Sequence, residues 1–291
     1  MTDRRIYLDN AATTRTDPRV VAAMEPYFTE TYGNANSLHA EGRAASRALE
    51  DARARVMRTI GASRPDEVLF TSGGTEGDNS ALIGLATAGG RTGGHIVVSA
   101  FEHPAVLEPA EWLGKRGFDV TLVKPRADGI VHPEDLSAAL RDDTVLVSVM
   151  HGNNELGTLQ PIAELAATAH ERGALLHTDA AQTVGKVPFD VAELGVDAAS
   201  FSGHKIYGPK GTGALYIKKG LPFAPYLMGG GQEFHKRSGT QNVAGSQGFA
   251  TALEIMEAER ETESGRLATL RDRFEAAITG LYDAGLSSDK Q

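Results

Sequence analysis

Ser200-Phe-Ser-Gly-His-Lys205-Ile-Tyr-Gly-Pro-Lys-Gly211 sets one lysine just past an apolar run, between a Ser/His pair and a glycine-rich turn. Desolvation and neighbouring positive charge lower the pKa of a lysine so placed and make its amine a nucleophile toward carbonyls. A second apolar run, Leu175-Leu-His-Thr-Asp179-Ala-Ala-Gln182, ends in a lone carboxylate 26 positions before that lysine. A lysine for a Schiff base and an aspartate for a pyridinium nitrogen are the two protein groups that pyridoxal 5'-phosphate (PLP) most needs. Asp179 as a plain helix N-cap is the competing account.

Three further segments carry polar groups just after apolar runs. In Asp66-Glu-Val-Leu-Phe-Thr-Ser-Gly-Gly-Thr75-Glu76, a strand leads through a glycine turn into a helix N-terminus. Free amides and the helix dipole make such a turn an anion site, to which the Thr75 hydroxyl adds a donor. An ordinary strand-to-helix turn with a threonine cap is the alternative. His103, in Phe101-Glu-His103-Pro104, either stacks on a cofactor ring or is a satisfied loop histidine. Asn154, in His151-Gly-Asn-Asn154-Glu155, either donates to the phenolic oxygen of PLP or belongs to a turn. The nine histidines lack metal-ligand spacing, so no metal site is expected.

The elements that must position these groups alternate along the chain. Strands are expected at His95–Ala100, Asp119–Lys124, Thr144–Met150, Ala174–Asp179, Ala198–Ser202 and Gly213–Ile217. Helices are expected near Pro104–Arg116, Pro133–Arg141 and Pro161–Arg172, each with proline in its first turn. This alternation predicts an α/β domain with a mostly parallel sheet, whose ligands bind beyond the carboxyl ends of the strands. From Ala244 to about Leu286 the pattern is helical, with Phe249, Leu253, Met256, Leu267, Leu270, Phe274, Ile278 and Leu281 on one stripe. A charged run, Glu257–Arg266, interrupts that stripe and reads as a solvated helix face.

Composition excludes several function classes. The 291 residues include 29 basic and 38 acidic side chains, a net charge of -9, which argues against nucleic-acid and anionic-membrane partners. There is no cysteine, hence no disulfide, no thiolate metal site and no thiol nucleophile within these residues. The N-terminal ten residues lack the apolar core of a signal peptide and no apolar stretch approaches a membrane span, so a cytoplasmic location is expected.

These segments together resemble the PLP-dependent cysteine desulfurases of the IscS/NifS group, within the class V aminotransferases. The resemblance runs in order through Tyr7–Thr14, Gly33–His39, Thr71–Glu76, Glu102-His103, His151–Gly157, Thr178–Gln182, Ser202–Gly211 and Arg237-Ser-Gly-Thr240. It implies a PLP-dependent transferase large domain of the aspartate aminotransferase type, with a seven-stranded sheet. It also implies that Lys205 carries PLP and Asp179 pairs with the ring nitrogen. His103 would stack on the ring and serve as acid or base near Cα. Asn154 and Gln182 would face the phenolic oxygen, while Gly74, Thr75, Ser202 and His204 would hold the phosphate. Thr240 would reach the phosphate of a neighbouring subunit, which implies a homodimer.

The implied reaction converts L-cysteine to L-alanine and passes sulfur to an acceptor or scaffold protein, for iron–sulfur cluster or thio-cofactor assembly. In that family the attacking cysteine and the arginine that clamps the substrate carboxylate come from a C-terminal small domain, and neither can be assigned here. The expected division is therefore residues 1–15 as a segment packing on the small domain and 16–245 as the PLP-binding domain. Residues 246–291 would be a long helix leading to a missing or partial small domain. A PLP-binding scaffold without turnover, or another class V transaminase or lyase that needs no thiol, remain alternatives.

Overall fold

A computed structural model describes residues 6–281. The expected helical residues up to Leu286 and the terminal stretch 287–291 lie partly or wholly outside the described residues.

Seven strands form one sheet: β1 (Val68–Thr71), β2 (Gly94–Ser99), β3 (Phe118–Val123), β4 (Thr144–Ser148), β5 (Leu175–Asp179), β6 (Ala198–Ser202) and β7 (Gly213–Ile217). Their order is β1-β7-β6-β5-β4-β2-β3. Only β7 is reversed: it pairs antiparallel with β1 and with β6, while every other pairing is parallel. The carboxyl ends of the other six strands therefore share one edge of the sheet, where a doubly covered α/β sheet binds ligands. The expected boundaries differ from the observed ones by at most two residues, and Met150 falls outside β4 because the chain turns toward the site there.

Nine helices accompany the described sheet: α1 (Pro18–Met24), α2 (Pro26–Thr29), α3 (Ala40–Thr59), α4 (Gly74–Ala86), α5 (Pro104–Gly114), α6 (Pro133–Ala139), α7 (Ile162–Glu171), α8 (Val191–Leu194) and α9 (Val243–Leu281). Successive strand residues point to opposite faces, so the sheet sits between two cores. Val97, Val147, Leu176 and Phe201 enter one core, which α3, α7 and the start of α9 cover with Val56, Leu165, Phe249 and Leu253. Ile96, Val98, Leu146 and Leu215 enter the other, beneath α4 and α5 with Leu82, Leu85, Val106 and Leu113. Side chains of this size each contribute roughly 1.5–3 kcal/mol on burial, so both faces stabilise the sheet.

Gly213 is where this architecture needs a bare backbone. It lies opposite both Thr71 of β1 and Ser202 of β6. A Cβ there would stand 2.4 Å from the Phe201 carbonyl oxygen and 2.8 Å from Gly73 Cα. The absence of a side chain lets the turn after β1 close onto the end of β6.

A second long-range feature is a buried ion pair. Arg53 of α3 is 1% exposed and grips Glu233 with both terminal nitrogens, at 2.7 and 3.0 Å. Its guanidinium lies 5.1 Å from the Phe70 ring centroid and 4.9 Å from that of Phe234. Glu233, Phe234 and His235 all have left-handed φ, 45°, 58° and 64°. Three consecutive non-glycine residues in that region cost about 1–3 kcal/mol each, and the Arg53 contacts hold them there.

Helix α9 runs unbroken through the charged run, as expected for a solvated helix face, and Arg260–Glu257 and Arg266–Glu263 pairs lie along its surface there. Phe249 and Leu253 are buried, whereas Leu267, Leu270, Phe274 and Ile278 are half to two-thirds exposed.

Candidate active site

The glycine turn after β1 is the first part of the site. Gly73 has φ 149° and ψ -175°, a backbone region that is essentially glycine's alone. It stands at the N-cap of α4, and no side chain caps the helix; the threonine cap considered from sequence is absent. The first-turn amides therefore face outward without an intrahelical partner, beside the Ser202 side chain. Glu76, in the same turn, accepts from the Ser72 amide at 2.8 Å and from Arg237 at 2.7 and 3.1 Å. Burial alone would raise its carboxyl, but these partners outweigh it and hold the pKa below the usual range. With its acid already neutralised by Arg237, the helix end remains available to an outside anion.

Asp179 closes β5 at the floor of the site, 6% exposed. Its Oδ1 accepts from the Ala181 amide at 2.8 Å within a turn; no helix starts there, so the N-cap account from sequence does not hold. Burial pushes its pKa up, and the Ala181 amide, His103 and Lys205 oppose that. Lys205 sits in a single 3-10 turn after β6 and donates from Nζ to the carbonyls of Ala11 and Ala12, at 2.5 and 2.8 Å. Burial pushes its ammonium below the usual lysine range, against the pull of Asp179 and Asp9. Tyr207, two residues on, takes a left-handed φ of 59° and donates its amide to Thr14 Oγ1 at 2.8 Å. That bond fixes the turn carrying the lysine.

His103 is the N-cap of α5, and its Nδ1 accepts from the Ala105 amide at 3.0 Å. In the neutral ring this places the proton on Nε2, so the histidine offers a donor. Gln182 donates to the Ala11 carbonyl at 2.9 Å and accepts from Lys186 Nζ at 3.2 Å. His204 Nδ1 lies 3.0 Å from Thr13 Oγ1, and burial with the nearby Lys205 charge pushes its pKa down.

Gly74, Thr75, His103, Asn154, Asp179, Gln182, Ser202, His204 and Lys205 all line one cavity of about 840 Å³ at the carboxyl edge of the sheet. Thr240 stands apart, in a separate cleft of about 90 Å³ with Arg237 and Gln241. Sequence reasoning passed over Asp78, one turn into α4, which also lines the main cavity at 1% exposure. Glu102 and Lys186 were likewise given no role, and burial lowers Lys186 to about 8. Among the described residues, no group of three or more acidic or histidine side chains is placed to hold a metal, and no helix is long and apolar enough to cross a membrane.

The residues fit PLP. A helix end open to an anion, a buried acid on the floor and a depressed lysine on the wall share one cavity, and the buried Asp78 Oδ1 there has no partner. Residues 6–290 match the aminotransferase class-V family model. The chain is 48% identical over 291 residues to a cysteine desulfurase IscS of Dictyoglomus turgidum, covering 99% of this chain and 74% of that relative. It superposes on a solved NifS-like protein with a TM-score of 0.92 at 42% identity, covering 96% of this chain and 76% of the other. It is similar, too, to a solved SspA in complex with cysteine, with a TM-score of 0.83 at 38% identity, over 86% of this chain and 72% of that one.

Proposed function

The chain belongs to the aminotransferase class-V family, and from that premise we propose that it is a PLP-dependent protein of cysteine desulfurase type, acting on L-cysteine or a related amino acid. The observation that carries this reading is the placement of Lys205 and Asp179 in one cavity with the uncapped helix end at Gly73. PLP, when bound, supplies a ring that is joined to the substrate amine and accepts electrons from Cα.

The chain's own residues have the following parts. Lys205 holds the cofactor and, with its depressed ammonium, moves the Cα proton. Asp179 keeps the ring nitrogen protonated through a charge-assisted bond. The amides of Gly74 and Thr75, with the hydroxyls of Thr75 and Ser202 and the His204 ring, hold the phosphate. Gln182, held by the Ala11 carbonyl and Lys186, would together with Asn154 serve the phenolic oxygen of the cofactor. His103 stacks on the ring and donates from Nε2; the base role falls to Lys205, because protonating His103 Nδ1 would break its bond to Ala105.

Thr240 lies outside the main cavity and is itself exposed, in the cleft with Arg237 and Gln241. This supports a homodimer in which Thr240 serves the phosphate of a second copy. The exposed stripe Leu267, Leu270, Phe274 and Ile278 supports reading α9 as a helix that packs against a further apolar surface. The physiological sulfur acceptor, in iron–sulfur assembly or otherwise, belongs to the same proposal.

The 291 residues hold no cysteine, which favours a second reading for them alone: cofactor binding and Cα proton exchange without C–S cleavage. A thiolate attacks sulfur far better than any oxygen or nitrogen nucleophile present.

Both readings are tested by adding PLP to the purified chain, reducing with borohydride and mapping the modified peptide. The expected label is on Lys205, and sulfide release from cysteine should stay at the level of a PLP-only blank. A label that persists in Lys205→Ala, on Lys186 for instance, overturns the assignment of the lysine. Sulfide production above the blank overturns the second reading.

A further inference from the structure

Beneath the cavity the chain buries three carboxyls, none of them in an ion pair with a lysine or arginine among the described residues. Asp179 ends β5, Asp78 lies one turn into α4, and Glu102 follows β2; none is more than 6% exposed. The nearest basic group is His177 on β5, 3.7 Å from Asp78 Oδ1 and fully buried. Its ring nitrogens lie 2.9 Å from Ser148 Oγ and 2.9 Å from Ser200 Oγ. Burial pushes its pKa down to about 3, so it is neutral and offers no countercharge.

The hydrogen bonds are equally one-sided. Glu102 Oε1 accepts from the Met150 amide at 2.6 Å and from the Ser99 hydroxyl, so it ties the ends of β2 and β4 together beside Asp179. Glu102 Oε2 and Asp78 Oδ1 are both buried without a partner. An ionised carboxylate needs donors or a cation on both oxygens when water is excluded, and each of these two acids leaves one oxygen with neither.

Resting on the PLP reading above, we propose that Glu102 and Asp78 are positioning residues held as uncharged acids at neutral pH, so that Asp179 alone carries the charge that receives a pyridinium cation. Asp179 differs from the other two in having a cation close enough to oppose the rise, Lys205, besides the amide on its Oδ1. One cation then meets one anion, and the two neutral neighbours prevent the proton from being shared among three like groups.

The groups that bear on Glu102 are Asp78 from α4 and Asp179 from β5; His103 is beside it in sequence, His177 lies against Asp78, and His151 follows Met150, whose amide donates to Glu102. Burial lowers His151 to about 4, so it is neutral. Burial, with a smaller push from Asp179, raises Glu102 to about 8. Above that pH a second negative charge appears beside Asp179 and strengthens retention of the ring proton.

The test is infrared spectroscopy of the cofactor-free chain in D2O, with 13C-labelled glutamate or aspartate. A protonated-carboxyl stretch is expected at neutral pH with each label. The glutamate band should be absent in Glu102→Gln and should fade in the native chain with a midpoint near 8. A spectrum with no such band, or a band that Glu102→Gln leaves untouched, overturns the proposal. This arm needs no PLP, so its result stands whether or not the chain binds the cofactor.

A second arm follows the absorbance of added PLP against pH. The native chain should show a step near 8 that Glu102→Gln lacks. A purely structural role for Glu102 would leave the two profiles alike and overturn the tuning role. Should Glu102→Gln not fold, the labelled titration of the native chain decides alone.

Discussion

Replacing Arg53 by methionine should cost the protein a large part of its stability, far from the cavity. The substitution keeps a long apolar stem between the Phe70 and Phe234 rings but removes both bonds to Glu233. The Glu233 carboxylate would then be buried with only the Phe70 amide, 2.9 Å away, to balance it. Breaking a buried pair by removing one partner costs about 3–5 kcal/mol. The Val68 carbonyl, which accepts from the same arginine at 2.6 Å, loses its donor as well, adding about 1 kcal/mol. The sum, roughly 4–6 kcal/mol, rivals the whole stability of many domains, which is about 5–15 kcal/mol.

Arg53→Met combined with Glu233→Met removes the stranded charge. It still leaves the Val68 carbonyl without its donor, at the same cost of about 1 kcal/mol, and adds an unpaired Phe70 amide, at about 1–3 kcal/mol. The double variant should therefore be more stable than Arg53→Met by a kcal/mol or more, a strong non-additivity. Urea unfolding at matched m-values gives all the required numbers. A loss below about 1 kcal/mol in the single variant, or additive losses in the double, would refute the reasoning about uncompensated burial.

Gly74→Ala should be harmless, because a Cβ there meets the Ser202 Cβ at an ordinary 3.5 Å, whereas Gly213→Ala should lower stability by about 1–3 kcal/mol through its backbone clash. Thermal unfolding of the two variants side by side checks this, and equal midpoints would contradict it. Asp179→Asn should bind PLP at least about tenfold more weakly, since a charge-assisted bond is worth about 1.5–3 kcal/mol. It should also lose deuterium exchange at Cα of alanine; native-level exchange in the variant would remove Asp179 from the proposed role.

The strands were legible in the sequence because each is a short apolar run bounded by turn residues, and β6 and β7 begin and end where the pattern does. The carboxyl-edge location of Asp179 and Lys205 was legible for the same reason. The insertion of β7 between β1 and β6 was not, since nothing local in Gly213–Ile217 distinguishes a reversed strand from a parallel one. Arg53 and Glu233 are 180 residues apart, and each alone reads as a surface charge. Asp78 and Glu102 were passed over because an acid's neighbours, and hence its charge, are set by tertiary contacts that no spacing rule reports. In α9 the Glu257–Arg266 run was legible as a solvated helix face, because oppositely charged residues three apart lie side by side on a helix surface.

The place of β7 also fixes the order in which the site can come into being. Val68 of β1 lies opposite Tyr216 of β7, and the two strands share no sheet neighbour other than through this pairing. The glycine turn at Gly73 therefore has no register until the chain has been synthesised through residue 217. Closing so long a loop is slow, because its entropy is lost before the pairing gains anything. A nascent chain ending before β7 would expose the apolar β1 run and an unpaired β6 edge, a target for chaperones during translation. Competence to bind an anion at Gly73 is thus a late event of folding, and its first appearance would time the completion of the sheet.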